Sequence, residues 1–236
     1  MIISHKYKYI FLKTTKTAGT SIEISLSRFC GEDDIITPIS SKDEKIRQEF
    51  GVFPQNHENY TRPLELREYR LQHLKNLIST GKRPQLATTF WNHMPASKVK
   101  QAISSKCWRS YYKFCFVRNP WDRAVSRYYW NLKKPGGDKI EDLSESLKKN
   151  NPNSNFNIYT IDQKIAVDYV GKYESLMQDL GYICNRLDIP FDNWLPNAKA
   201  GVRTDKRHYS EVFNEDQANF IREKCSDEIK WFDYGF

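Results

Sequence analysis

The sequence predicts a single α/β domain spanning residues 1–236. Tyr7, Tyr9, Ile10, Phe11 and Leu12 form an aromatic and β-branched run that reads as a buried strand. It leads through a small, hydroxylated, basic loop into Ile22, Leu26 and Phe29, which share one face of a helix. Tyr111-Tyr112-Lys113-Phe114-Cys115-Phe116-Val117 is apolar on both faces, as a central parallel strand should be, and also runs into a helix. With 236 residues, 39% hydrophobic and 28% charged, the chain is globular and long enough for a substantial core. No internal repeat or linker divides it.

The loop after the first strand is Lys13-Thr14-Thr15-Lys16-Thr17-Ala18-Gly19-Thr20-Ser21. Strand, small-residue loop and helix make an anion cradle, because unpaired N–H groups and the helix dipole meet at the helix start. Gly19 lets the backbone come close to an oxyanion, Lys16 adds a full charge, and Thr17, Thr20 and Ser21 add hydroxyl donors. The nucleotide P-loop places its lysine after a second glycine and a hydroxyl on Mg²⁺. Here Lys16 precedes Gly19 with no glycine four or five residues upstream, so the loop suits phosphate better than a Mg-nucleoside triphosphate. An ordinary β-α turn with surface lysines is the plainer alternative.

A net charge of +8 points to an acidic partner: a nucleotide, a sulfated or phosphorylated ligand, nucleic acid or a membrane surface. The basic residues are spread along the chain, which weighs against nucleic acid. No apolar run reaches the ~18 residues of a transmembrane helix, and MIISHKYKYIFLK is too broken by charge for a signal peptide. The five cysteines are scattered without C-x-x-C pairs, as expected of reduced thiols in a cytoplasmic protein.

Residues 31–60 read as a long loop with a short helix near 41–50. Thr61 and Pro63 open a helix carrying Leu64, Leu71, Leu74 and Ile78 on one stripe, and Gly81 ends it. Leu86 to Phe90 form a second strand, and His93 falls between it and a short helix with Val99, Ala102 and Ile103. That edge is where open α/β sheets bind ligands, although a histidine there can also be a hydrogen-bonded loop residue. After the central strand, Asn119 caps a helix that starts at Pro120. Arg118, as a forked donor, and Ser126, about two turns into that helix, can converge on one phosphate. Arg123 and Arg127 read as a solvated or salt-bridged face.

Residues 133–160 hold Pro135-Gly136-Gly137, a helix near 139–149 and an Asn-rich stretch, a surface excursion of the kind that shapes acceptor pockets. Ile165 to Val170 form a fourth strand, and Leu176, Leu180, Ile183 and Leu187 line a helix over 174–188. Lys199, Arg203, Lys206, Arg207 and His208 read equally as a solvated basic loop or as a flap over an anionic ligand. Asn214 and Gln217 form a capping box for a last helix bearing Ala218, Ile221, Cys225, Ile229 and Phe232.

Three stretches together resemble the sulfotransferases. Lys16-Thr17-Ala18-Gly19-Thr20-Ser21 is similar to their 5′-phosphosulfate loop, and Phe116 to Ser126, FVRNPWDRAVS, to their 3′-phosphate motif. VDYVGKYE at 167–174, His208-Tyr209 and the run from Asp227 to Phe236 resemble the end of the carbohydrate-type enzymes acting on heparan, dermatan and chondroitin, with their soluble bacterial relatives. The resemblance implies a P-loop-like three-layer α/β/α fold with a central parallel sheet, and 3′-phosphoadenosine 5′-phosphosulfate (PAPS) as sulfate donor, with no metal. By position, Lys16, Thr17, Ala18, Gly19, Thr20 and Ser21 would hold the phosphosulfate, and Arg118 and Ser126 the 3′-phosphate. Arg203 and Tyr209 would belong to a donor flap. His93 would be the base and Lys16 the group stabilising the leaving oxygen. Thr15 stands where the family usually has proline.

The resulting expectation is a PAPS-dependent sulfotransferase acting on a hydroxyl of a carbohydrate or glycolipid. A P-loop small-molecule kinase and a non-catalytic polyanion-binding protein are the alternatives. The displaced lysine and the lack of an acid ending a strand, Asp168 being the best candidate, weigh against the kinase. His57 and His208 are the reserve candidates for the base. Residues 31–60, 133–160 and the region of Trp91 are expected to build the acceptor pocket. Trp91, Trp121 and Trp130 could stack on a sugar, although such residues are more often core.

Overall fold

A computed structural model describes residues 1–133, 142–196, 198 and 203–236. The chain opens with a hairpin of β1 (Ile2–Ser4) and β2 (Tyr9–Phe11), followed by α1 (Gly19–Ser27), β3 (Ile35–Ile36) and α2 (Ser41–Gln48). An arm then carries β4 (Tyr60–Pro63), a 3₁₀ turn (Leu66–Glu68), α3 (Leu71–Thr80) and β5 (Gln85–Thr88). Next come α4 (Ala96–Ala102), α5 (Ser105–Ser110), β6 (Tyr112–Val117) and α6 (Pro120–Lys133). After α7 (Leu143–Lys149) and α8 (Phe156–Tyr159), β7 (Thr160–Ile161) and β8 (Lys164–Ile165) form a small ribbon. The chain closes with β9 (Tyr169–Lys172), α9 (Leu176–Arg186), α10 (Tyr209–Val212), α11 (Glu215–Lys224) and α12 (Ser226–Phe232).

The main sheet has five strands in the order β3-β1-β2-β6-β9. β2, β6 and β9 are parallel, whereas β1 runs antiparallel to β2 and β3. The sheet is therefore mixed, not parallel throughout. MIIS, set aside above as a broken apolar stretch, is the strand that makes it so. Residues alternate between the faces, as the period of two requires. Ile3, Ile10, Cys115 and Val117 pack with α4 and α8, while Ile2, Tyr9, Phe11, Phe114 and Phe116 pack with α1 and α9.

Several elements depart from the sequence expectations. Leu86 to Phe90 does not join the main sheet: β5 pairs with β4 in a separate two-stranded sheet. Its residues alternate exposed and half-buried, too little apolar surface for a strand covered on both faces. No helix starts at Thr61. Pro63 ends β4, the helix starts at Leu71, and its leucine stripe faces solvent. Ile165 belongs to the β7–β8 ribbon, and the sheet strand starts at Tyr169. The last helix breaks at Cys225 into α11 and α12.

Other local signals hold. Asn119 caps α6, its Oδ1 accepting from the Trp121 N–H at 3.0 Å. Gly81 ends α3 at φ 65, and Asn214 and Gln217 form their capping box. Arg123 is salt-bridged, but in the interior, where it pairs with Glu228 and both are almost fully buried. Pro135-Gly136-Gly137 and the start of the helix expected at 139 lie outside the described residues.

Candidate active site

Parallel strands β2 and β6 are neighbours, so the turns leaving their carboxyl ends face each other. Between them lies a cavity of about 570 Å³, within the size range of small-molecule sites. Its lining includes Lys13 to Lys16, Ala18 to Ser21, His93, Arg118, Ser126, Arg127, Trp130 and Arg203. Among the described residues, every charged lining side chain is a cation.

The loop between β2 and α1 is held in an unusual backbone path. Lys16 and Ala18 take left-handed φ values of 64 and 58, a region that costs ordinary residues energy. Gly19 does not have positive φ. It is needed because a Cβ there would lie 2.8 Å from Lys13 Cγ and 3.2 Å from the Thr14 carbonyl oxygen. Thr15 is clamped by buried Asn155, whose Oδ1 accepts from the Thr15 N–H at 2.9 Å and whose Nδ2 donates to the Thr15 carbonyl at 2.9 Å. A proline at 15 could not supply that N–H. Lys16 lies 4.6 Å from the centre of the Trp130 ring.

Arg118 leaves the end of β6 and ties the cavity together. Nη1 donates to the Lys16 carbonyl at 3.1 Å, Nε donates to Asp122 at 2.7 Å, and the guanidinium stacks 4.0 Å over the Tyr173 ring. Asp122 also accepts from Arg203 Nη1 at 2.8 Å, so one carboxylate in the first turn of α6 positions two arginines. Ser126, Arg127 and Trp130 occupy the cavity-facing side of α6, as i, i+1 and i+4 spacing allows.

His93 sits at φ 60 between β5 and α4. Its Nδ1 lies 2.8 Å from the Lys13 carbonyl oxygen, which only accepts, so the neutral ring carries its proton on Nδ1 and presents Nε2 as an acceptor. Burial pushes its pKa down to about 4, and the Lys13 charge adds to that against the opposing carbonyl contact. Neighbouring Asn92 accepts from Lys13 Nζ at 3.2 Å. Beneath the cavity, buried Glu23 pairs with Lys13 at 2.6 Å and with the Met1 amine at 2.9 Å. Burial alone would raise the Glu23 pKa, but Lys13 and the amine hold it at about 2.

The cavity thus collects Lys16, Ala18, Gly19, Thr20, Ser21, His93, Arg118, Ser126 and Arg203 from the residues singled out in the sequence. Thr17 and Tyr209 are not in its lining. The Thr17 hydroxyl turns inward onto Thr14 Oγ1 at 2.8 Å. The Tyr209 hydroxyl accepts from Asn119 Nδ2 at 3.0 Å and its ring stacks on Trp121, so Tyr209 braces the start of α6. His57 and His208 do not line the cavity either, and Lys199 lies outside the described residues. Arg127, expected on a solvated or salt-bridged face, and Trp130, read as either a sugar-stacking or a core residue, both line it. Arg127 donates to Thr15 Oγ1 and to Ser154 Oγ, and burial lowers its pKa. The i, i+4 relation of Ser126 to Trp130 was the signal available for this face.

An α/β protein with a cation-lined cavity at the ends of parallel strands is the class these features define. A profile described as "Sulfotransferase family" matches residues 1–235, and the chain belongs to that family. An uncharacterized protein of Archaeoglobus fulgidus is 35% identical over 104 residues, 41% of this chain and 84% of that protein. No solved structure matches significantly.

Proposed function

We propose that this sulfotransferase-family protein moves the sulfuryl group of PAPS to an acceptor hydroxyl on a carbohydrate or glycolipid. The observation that supports this most is the single cavity shared by the Lys16 loop, Arg118 with Ser126, and the acceptor nitrogen of His93. The residues suit such a donor: Lys16, Arg118 and Arg203 line one cavity with the hydroxyls of Thr20, Ser21 and Ser126, and no carboxylate lines it among the described residues. The donor supplies an activated sulfuryl group on a bisphosphate leaving group.

His93 Nε2 takes the acceptor hydroxyl's proton as the new O–S bond forms. The bond from sulfur to the phosphate oxygen breaks on the opposite side, and the electron pair stays on that oxygen. Lys16 and the N–H groups opening α1 stabilise the charge gathering there. Arg118 and Ser126 hold the 3′-phosphate, with Arg203 behind them on Asp122. Trp130, with the Lys16 amine over its ring, brings an aromatic side chain into the same cavity beside the acceptor.

Thermal melting provides the test. Adenosine 3′,5′-bisphosphate at 100 times its Kd should add about 2.7 kcal/mol, while Mg-ATP should not. A labelled-PAPS screen over glycans, glycolipids and small alcohols should then find an acceptor. Equal stabilisation by Mg-ATP, abolished by EDTA, would instead indicate a kinase.

A further inference from the structure

Helix α3 contains no buried residue. Leu71, Leu74 and Ile78 are 80%, 45% and 86% exposed, and Leu66 just ahead of them is 91% exposed. Spacing of i, i+3 and i+7 puts the three helical residues on one stripe. Contiguous exposed aliphatic surface of this kind marks an interaction face. Around it in sequence stand Arg67, Arg70, Lys75, Lys82 and Arg83, all exposed. The two acids of the same segment are engaged: Glu68 forms a two-pronged pair with Arg62, and Glu65 accepts from Ser105 and pairs with Arg67. Arg70, Lys75, Lys82 and Arg83 have no carboxylate partner among the described residues.

We propose that α3 docks this protein on a bilayer surface rich in anionic lipid headgroups. An aliphatic stripe bordered by cations is the pattern of a helix lying in the interface plane, apolar side chains among the acyl chains and cations among the phosphates. The stripe holds aliphatic side chains and no aromatic anchor, which suits fluid acyl chains better than a shaped protein pocket. A second copy fits poorly, since a two-fold contact would set the unpaired cations of one α3 against those of the other. The chain's net charge of +8 favours approach to the same surface. The docking is separable from the transfer chemistry, because none of these residues lines the cavity.

The test is co-sedimentation of the full chain with vesicles of phosphatidylcholine alone and of phosphatidylcholine mixed equally with phosphatidylserine. The protein should sediment with the mixed vesicles only, and less so as salt rises. Leu71→Ser with Ile78→Ser leaves every charge in place and should weaken binding by on the order of tenfold or more, with melting temperature unchanged. Lys75→Glu with Lys82→Glu should weaken it by at least ~5-fold per cation. Absence of binding to the mixed vesicles would overturn the proposal. So would binding that the serine pair leaves intact, which would be net charge acting alone. So would a concentration-dependent dimer that the serine pair abolishes.

Discussion

His93 is caught between two influences. Its carbonyl contact favours a proton on the ring, whereas burial and the nearby Lys13 charge oppose a second one and win, holding the pKa at about 4. An imidazole so depressed is neutral across the physiological range. The acid limb of kcat/KM, which reports the free protein, should therefore fall near pH 4 to 5 and not near 6.5. His93→Ala should keep adenosine 3′,5′-bisphosphate binding, read by titration calorimetry, while turnover drops by roughly 10²–10⁴-fold. Near-normal turnover in that variant would remove His93 from the mechanism. Residues whose placement depends on their immediate neighbours were the legible ones: Lys16 and Gly19 in a loop entering a helix, Arg118 ending a strand, Asn119 capping α6. Thr17 and Tyr209 were not, because their hydroxyl partners, Thr14 Oγ1 and Asn119 Nδ2, are set by backbone path and tertiary packing.

At the scale of elements, the loop between β2 and α1 and helix α6 decide the cavity's shape. Gly19→Ala would drive a methyl into the middle of the Lys13 side chain and against a backbone oxygen, neither able to retreat easily. A cost of about 1–3 kcal/mol is expected. Because Lys13 also carries the carbonyl that orients His93, turnover should fall with stability, which a melt and an activity assay on the same sample would show. Helical spacing on α6 did not put Trp130 and Arg127 beside Ser126 in one cavity, since periodicity reports a shared face without saying what the face meets. The same limit explains α3. Leu71, Leu74 and Ile78 have the spacing of a core stripe, and the sequence carries no sign that the β4–β5 arm holds them away from the core. β5 misled because a short run of Leu, Ala and Thr fits an antiparallel arm as well as a sheet strand.

For the molecule as a whole, Glu23 is the buried charge on which the amino-terminal half converges. Lys13, the Met1 amine and the Thr37 hydroxyl all meet it within 3.1 Å. Its carboxylate is depressed to about 2 in the folded chain, so the stability it contributes is present above pH ~4.5 and is lost as pH falls toward 2. Replacing it with alanine would strand the Lys13 charge in the interior. The expected loss is roughly 3–5 kcal/mol, with Tm lower by on the order of 10 °C in a chain of this length and acid unfolding less steep below pH ~4.5. A melt as stable as the parent's would show that Lys13 finds another partner. The general architecture was legible at this scale because β6 announces a central strand and α/β order follows from it. The antiparallel β1 was not, since Ile2 and Ile3 beside a charged turn are too brief a signal.

The imidazole of His93 is anchored to a peptide oxygen, and every amino acid that could occupy position 13 carries one. Replacing the lysine side chain would therefore change the charge beneath the cavity and leave the aim of the ring intact. Point changes at that position would alter the charge near the ring and leave Glu23 short of a partner, whereas turning the imidazole itself would take a rerouted main chain.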